Sequence, residues 1–458
     1  MRRIAVIVVI LIVLVGVGGY FGLVYKPAIA SLADQPQSFD AALVAHGAEL
    51  AAIGDCASCH TPAGGAPLAG GVSVPTPYGT IYSSNITPDR QTGIGQWTEA
   101  AFVRAMQEGT DREGHHLYPA FPFDHFTHVS EDDDQALYAY LMTRDPVKAT
   151  PPANQLAFPF NVRGIMAGWD LLFLKKGPLP EDPNQSADWN HGRYLVEGLG
   201  HCAACHTPRN SFGAEDSGQS YNGGPVIDGW YVYPINDKSP APQKWNVDEL
   251  AVYLKTGFSA EHGVSRGPMA QVTAQLGSAS DADVHAMAVY VASLMGNPQA
   301  PAPQQPPTPP ILTSGDSLAP PKTADASADR GATIYATACS SCHDSGRPPP
   351  FGGIDFHKST AVHAESAQNI VNMVLFGLPG SEGRTGALMP GFAGTLSQDD
   401  LVALLGYLRT TYGDGKPAWI NLSPLVADTL SGKTPVKLYG QDGVARGTQP
   451  VNPPGANP

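Results

Sequence analysis

Cys56-Ala57-Ser58-Cys59-His60, Cys202-Ala203-Ala204-Cys205-His206 and Cys339-Ser340-Ser341-Cys342-His343 are three copies of one pattern, C-x-x-C-H. Together they use all six cysteines of the chain. Two thiols at this spacing, followed at once by an imidazole, match the covalent attachment of a c-type haem. The cysteines give thioethers to the vinyl groups, and the histidine falls beneath the ring as proximal ligand. Zinc would need paired C-x-x-C units converging on one ion, whereas these motifs lie far apart and each ends in its own histidine. A thioredoxin-like dithiol needs a βαβ surround, and none flanks any copy. The sequence therefore predicts three haem c groups, held by Cys56 and Cys59, by Cys202 and Cys205, and by Cys339 and Cys342. His60, His206 and His343 are the expected axial ligands.

The chain repeats itself around these motifs. A helix-like stretch with a glycine precedes each one: Gly47-Ala48-Glu49-Leu50, Gly192-Arg193-Tyr194-Leu195 and Gly331-Ala332-Thr333-Ile334-Tyr335. Each repeat closes on a Ser-x-x-Asp that opens an apolar helix, at Ser130 to Asp133, Ser280 to Asp283 and Ser397 to Asp400. Serine accepts from free N–H groups at a helix start, and an acid one turn on faces the positive end of the helix dipole. Aromatic residues follow in Leu137-Tyr138-Ala139-Tyr140-Leu141, Val289-Tyr290-Val291 and Leu404-Leu405-Gly406-Tyr407-Leu408. This is the layout of a class I cytochrome c domain, in which a glycine-bearing first helix crosses an aromatic-bearing last helix. The expected fold is mainly α, with three such domains in tandem behind an N-terminal transmembrane helix. Their bounds are 40–180, 186–298 and 327–412.

The flanking segments have distinct compositions. Arg2 and Arg3 precede an uncharged run from Ile4 to Tyr25, long enough to cross a bilayer core as a helix. Residues 1–26 are thus an anchor or a signal segment, and Ala28-Ile29-Ala30 has the form of a cleavage site. The apolar run exceeds the usual signal core, which favours a retained anchor. The positive flank puts the N-terminus in the cytoplasm and the haem domains on the periplasmic face of a bacterial inner membrane. Residues 299–326 form a proline-rich, semi-rigid linker expected to hold the third domain at a distance or let it swing. Residues 413–458 are expected to be an irregular tail. A formal charge of -14 excludes nucleic acid as the natural partner.

A histidine-ligated haem iron has a second axial position, where methionine raises the potential. Gly267-Pro268-Met269 and Leu388-Met389-Pro390 lie in Pro/Gly-rich stretches ahead of the last helix of their repeats, so Met269 and Met389 are the candidates. The first repeat has Phe121 at the corresponding point, in Leu117-Tyr118-Pro119-Ala120-Phe121-Pro122-Phe123-Asp124-His125. His125, flanked by phenylalanines, is the candidate there, with a vacant position as the alternative.

With repeats, ligands and anchor in place, the chain resembles the three-haem cytochrome c subunits of bacterial membrane-bound dehydrogenases from about residue 40 to 412. The matching stretches include Gly79-Thr80-Ile81-Tyr82-Ser83-Ser84-Asn85-Ile86-Thr87-Pro88-Asp89, Cys205-His206-Thr207-Pro208-Arg209-Asn210, Gly267-Pro268-Met269-Ala270 and Met389-Pro390-Gly391-Phe392. The resemblance implies an electron-transfer subunit with no substrate chemistry of its own. It would relay electrons from a catalytic dehydrogenase subunit to ubiquinone or a terminal oxidase. In such families the partner is a molybdenum hydroxylase, a quinoprotein or a flavoprotein. Phe121 and the run into Lys26-Pro27-Ala28 favour the molybdenum group. An autonomous haem enzyme with an open first haem is the rival, and a tethered carrier serving an oxidase is a third reading.

Overall fold

The computed structural model describes residues 24–35, 37–296, 330–348, 352–379, 387–440 and 443–449, with Gly18, Gly19 and Gly22. Most of the Ile4–Tyr25 run and all of the 299–326 linker lie outside the described residues. Among those described, no helix is long and apolar enough to cross a membrane. Chain contacts define two compact units. One comprises residues 1–186, 193–204 and 209–215, the other 187–192, 205–208 and 216–458.

The element recurring in both is a helix crossing. Ala41–Ile53 crosses Glu131–Met142, Ala187–Glu197 crosses Asp281–Leu294, and Arg330–Ala338 crosses Gln398–Tyr412. A Cβ built on Gly47 would lie 1.9 Å from the Ala136 carbonyl oxygen; on Gly192, 1.9 Å from that of Ala286; on Gly331, 2.2 Å from that of Ala403. Only a glycine permits backbones this close.

The last helix of each crossing starts as its sequence predicts. Ser130, Ser280 and Ser397 accept from the backbone N–H groups of Asp133, Asp283 and Asp400, and at Ser397 the reciprocal bond completes a capping box. The capping acid has a second partner. His46 Nε2 meets Asp133, His191 Nε2 meets Asp283 and Arg330 Nε donates to Asp400, each at 2.7 Å. That basic residue immediately precedes the crossing glycine in all three cases. The three glycine–carbonyl contacts therefore come with three matching acid–base contacts one turn away.

In the first unit Leu50, Ile53, Phe102, Met106, Leu137, Tyr138 and Leu141 are buried. A three-stranded antiparallel sheet, Ser73–Thr76, Gly79–Tyr82 and Gln155–Leu156, lies beyond the motif helix. In the second unit, Leu401, Leu404, Leu405 and Leu408 pack with Ile370, Val371, Val374 and Leu375.

Two expectations are corrected. The stretch after Gly413 is not irregular throughout. It contains the helix Leu422–Leu430 and a hairpin of Val436–Tyr439 with Ala445–Gln449, and Trp419 and Val426 join the apolar core. The third repeat is also not held away from the second. Asn369 accepts from Tyr231 N and donates to Tyr231 O, both at 2.8 Å, and Asn372 donates to Gly229 O at 2.8 Å. Side-chain amides here satisfy the open edge of the short Trp230–Tyr231 strand, a docking that composition alone does not reveal.

Candidate functional site

Short helices carry the motifs: Cys56–His60, Ala203–His206 and Ser340–His343. In each motif the first cysteine is partly buried and the second exposed. The histidines share one further feature. Nδ1 of His60 lies 2.6 Å from Ser84 O, Nδ1 of His206 2.8 Å from Tyr233 O, and Nδ1 of His343 2.8 Å from Ile354 O. A carbonyl oxygen only accepts, so Nδ1 carries the proton and donates in all three. That leaves the Nε2 lone pair available and fixes the ring plane, as a metal-ligating histidine requires. Burial holds each imidazole below its ordinary pKa, against the backbone hydrogen bond, so the neutral ring is favoured.

Glycines shape the cradle around these rings. Gly70 N–H donates to His60 O and Gly223 N–H to His206 O, both at 2.7 Å. A Cβ on Gly70 would lie 2.4 Å from Ser84 O, and one on Gly223 would lie 2.5 Å from Val232 O. In the third repeat a Cβ on Gly353 would fall 2.6 Å from His343 Nδ1, and Phe356 stacks on the same ring at 4.1 Å. Paired thiols beside a locked, neutral imidazole are the donor set of a c-type haem, and these residues fit that group.

Met269 is partly buried and is the second residue of the helix Pro268–Leu276, with Gly267 before it at φ 59°. Its Pro/Gly neighbours predict a loop; it stands instead on the first turn of a helix. Met389 is in extended chain, where its N–H donates to Leu378 O at 3.1 Å and its carbonyl accepts from Leu378 N at 2.8 Å. Its side chain packs on the third repeat's core.

Arg266, which no sequence signal singled out, connects these two methionine segments. It is 8 % exposed. Nη1 donates to Tyr439 O at 2.7 Å and Nη2 to Gly377 O at 3.0 Å. Gly377 immediately precedes the Leu378–Met389 pair, and Arg266 lies three residues before Met269.

His125 is a correction. Nδ1 donates to Glu197 O at 2.8 Å and Nε2 faces Glu215 Oε1 at 2.7 Å. Burial opposes its charge, but Glu215, aided by Asp124, holds its pKa above the ordinary value. With both nitrogens engaged, no lone pair is left for iron, and the expected ligand role is not supported. Phe121, at the methionine position, packs with Leu117 and Tyr118 around Phe123, Met166 and Trp169.

Comparison with known proteins supplies the family. Residues 44–145 match the family described as Cytochrome c, and residues 326–408 match the one described as Cytochrome C oxidase, cbb3-type, subunit III. The cytochrome c subunit of alcohol dehydrogenase (quinone) from Gluconacetobacter polyoxogenes is 34% identical over 445 residues, 91% of this chain and 90% of that protein. The chain belongs to the dehydrogenase cytochrome c subunits. The gluconate 2-dehydrogenase cytochrome c subunit of Pantoea cypripedii is 34% identical over 86% of this chain and 90% of its own length. A nicotinate dehydrogenase subunit from Pseudomonas putida is 45% identical over 392 residues, 85% of this chain, but the match spans only 32% of that longer relative. Like other members of its family, this cytochrome c subunit transfers electrons by haem c and works with a catalytic dehydrogenase subunit.

Proposed function

We propose that this cytochrome c subunit carries three haem c groups and relays electrons from a molybdenum hydroxylase to ubiquinone or another respiratory acceptor. It does so on the periplasmic face of the inner membrane, tethered by the Ile4–Tyr25 run. The observation that carries the three-haem reading is the threefold recurrence of one module. Each C-x-x-C-H histidine has its Nδ1 tied to a backbone carbonyl, and each module has the same glycine crossing. The preference for a molybdenum hydroxylase rests on Phe121, on the N-terminal run and on the similarity to a relative named for nicotinate, an N-heterocycle.

Bound haem supplies one-electron chemistry at each centre. The chain's own residues set its conditions. His60, His206 and His343 would each present a neutral Nε2 in a fixed plane. Met269 and Met389 would take the opposite positions in the second and third repeats and raise the potential there. In the first repeat Phe121 offers no donor, and Glu215 occupies His125, so that centre has a distal side unlike the other two.

The test is purification of the native complex in mild detergent. The pyridine haemochrome absorbance should give three haems per chain, and a stoichiometric large subunit should carry molybdenum. One or two haems per chain, or substrate turnover by this chain without a partner, would overturn the reading.

A further inference from the structure

We infer that the segment from Phe158 to Lys176, with Phe212, is a face that lies on the lipid bilayer. This rests on the reading of Ile4–Tyr25 as a membrane anchor. Large apolar side chains that face water are few among the described residues, yet they gather here. Phe158 is 81% exposed, Val162 47%, Leu171 67%, Leu172 68% and Phe212 64%. The helix Met166–Phe173 explains the pattern. Met166, Ala167 and Trp169 point inward, so Leu171 and Leu172 must point out. Phe212 is tied to this segment. Phe173 lies 6.0 Å from Phe212, Trp169 Nε1 donates to Phe212 O, and Tyr78 joins Phe160 at 4.5 Å to Ser211 O at 2.9 Å. A patch of this kind on a folded protein marks a partner surface.

Two observations name the partner. The first is where the apolar N-terminal run ends. His116 is buried between that end and the helix: Nε2 contacts Val24 O at 3.1 Å, and Nδ1 contacts Asp170 at 2.8 Å. Val24 also reaches within 3.1 Å of where a Cβ on Gly164 would stand. A chain leaving the bilayer at Tyr25 is therefore fastened directly to the helix that exposes Leu171 and Leu172. The second observation is charge. The chain is at -14 overall, but the segment from Phe158 to Lys176 carries Arg163, Lys175 and Lys176 against the single carboxylate Asp170, which faces His116; from outside the segment Glu108 pairs with Lys176 at 2.9 Å, which still leaves the cations in excess. Leucines flanked by lysines suit the interface of an anionic bilayer, with the apolar side chains among the acyl chains and the cations among the headgroups.

The experiment uses the full-length complex in nanodiscs of phosphatidylethanolamine and phosphatidylglycerol, part of the latter with a photoactivatable acyl chain. Illumination and peptide mapping should place lipid adducts in the 158–173 peptide at tenfold or greater yield over the peptide of helix Glu131–Met142. As a second readout, the variants Leu172→Cys and Phe158→Cys should react with a water-soluble maleimide at least tenfold more slowly than Asp132→Cys in the same discs. Adducts confined to residues 1–25, with fast labelling at 172, would overturn the docking face and leave the anchor standing. Slow labelling without lipid adducts would overturn it in favour of a protein partner. A complex that fails to enter discs at all would refute the anchor reading, and this inference with it.

Discussion

Replacing Gly331 by alanine tests the helix crossing where its geometry is most explicit. The new methyl would lie 2.2 Å from Ala403 O and 2.7 Å from Tyr407 Cβ. Favourable carbon–oxygen contacts start near ~3.3 Å, so the two helices must part by about 1 Å. Overpacking of this kind costs roughly 1–3 kcal/mol, and a helix carbonyl cannot rotate aside as a side chain would. Alanine's helix propensity returns about 1 kcal/mol. The net is a loss of about 1 kcal/mol, or roughly 4–8 °C in midpoint for a domain of under ~100 residues. Gly406, in the partner helix, is the control, since a Cβ there meets nothing within 4 Å. Gly406→Ala should stabilise by up to ~1 kcal/mol through propensity alone. Thermal unfolding of the holo-protein by circular dichroism, with hydrogen exchange of the Arg330–Ala338 peptide, separates the two variants. If Gly331→Ala melts within 2 °C of the parent, taken as roughly the width of scan error, the close crossing is not what holds the repeat together.

Three other outcomes follow from the buried polar groups and the methionines. Asp134 is fully buried and its carboxyl is pushed up to about 8 by desolvation, against a hydrogen bond from Gln107, so ionising it costs stability between its ordinary value of 3.8 and that point. Asp134→Asn should raise the melting temperature at pH 7 and lose that advantage below pH ~4, where the Asp134 carboxyl is protonated in the folded and unfolded chain alike. His125 has a raised pKa, so its stabilisation is complete below the ordinary 6.5 and fades as pH rises through the folded value; His125→Gln should flatten that decline in thermal melts and leave the haem absorption spectrum unchanged, whereas a spectral change would restore it as a ligand. Met269→Ala and Met389→Ala should each lower the midpoint potential of one haem in a spectroelectrochemical titration and remove its near-infrared methionine–iron band, while Met106→Leu, in the first repeat's core, should move neither.

The haem motifs, the crossing glycines and the serine caps were readable because each is a short pattern whose chemistry is local. Ser397 needs only Asp400, and each C-x-x-C-H is complete within five residues. What escaped was long-range and aperiodic. His46, His191 and Arg330 reach acids 70 or more residues away, and nothing in their neighbourhood announces it. The C-terminal stretch looks structureless from its Gly, Asn and Pro content. Its order comes from tertiary partners: Trp419 Nε1 donates to Ala364 O at 2.9 Å, and Trp230 Nε1 donates to Lys437 O at 3.0 Å. His125 misleads for a related reason. Its surroundings in sequence are aromatic, but Glu215, 90 residues on, takes the nitrogen that a metal would need.

The same long-range contacts change how the second and third repeats work as a pair. A swinging third domain would make transfer between their centres depend on encounter. The second unit instead joins the two methionine segments through one buried guanidinium. Arg266 spans Tyr439 O and Gly377 O while its own backbone leads directly into Met269. Its pKa is drawn down to about 10 by burial, yet at neutral pH it stays charged, and its two carbonyl partners would be left unsatisfied by any apolar replacement. Around it, the C-terminal hairpin packs on the same segment. Trp230 lies 2.4 Å from where a Gly267 Cβ would stand, and a Gly443 Cβ would fall 2.9 Å from Gln271 Cα. Moving Met389 relative to Met269 would therefore break the guanidinium bonds, the Asn369 and Asn372 bonds and the hairpin's packing together. A rigid spacing between the Met269 and Met389 segments is the arrangement these contacts enforce, and geometry held on packed elements is more exact than geometry left to a linker.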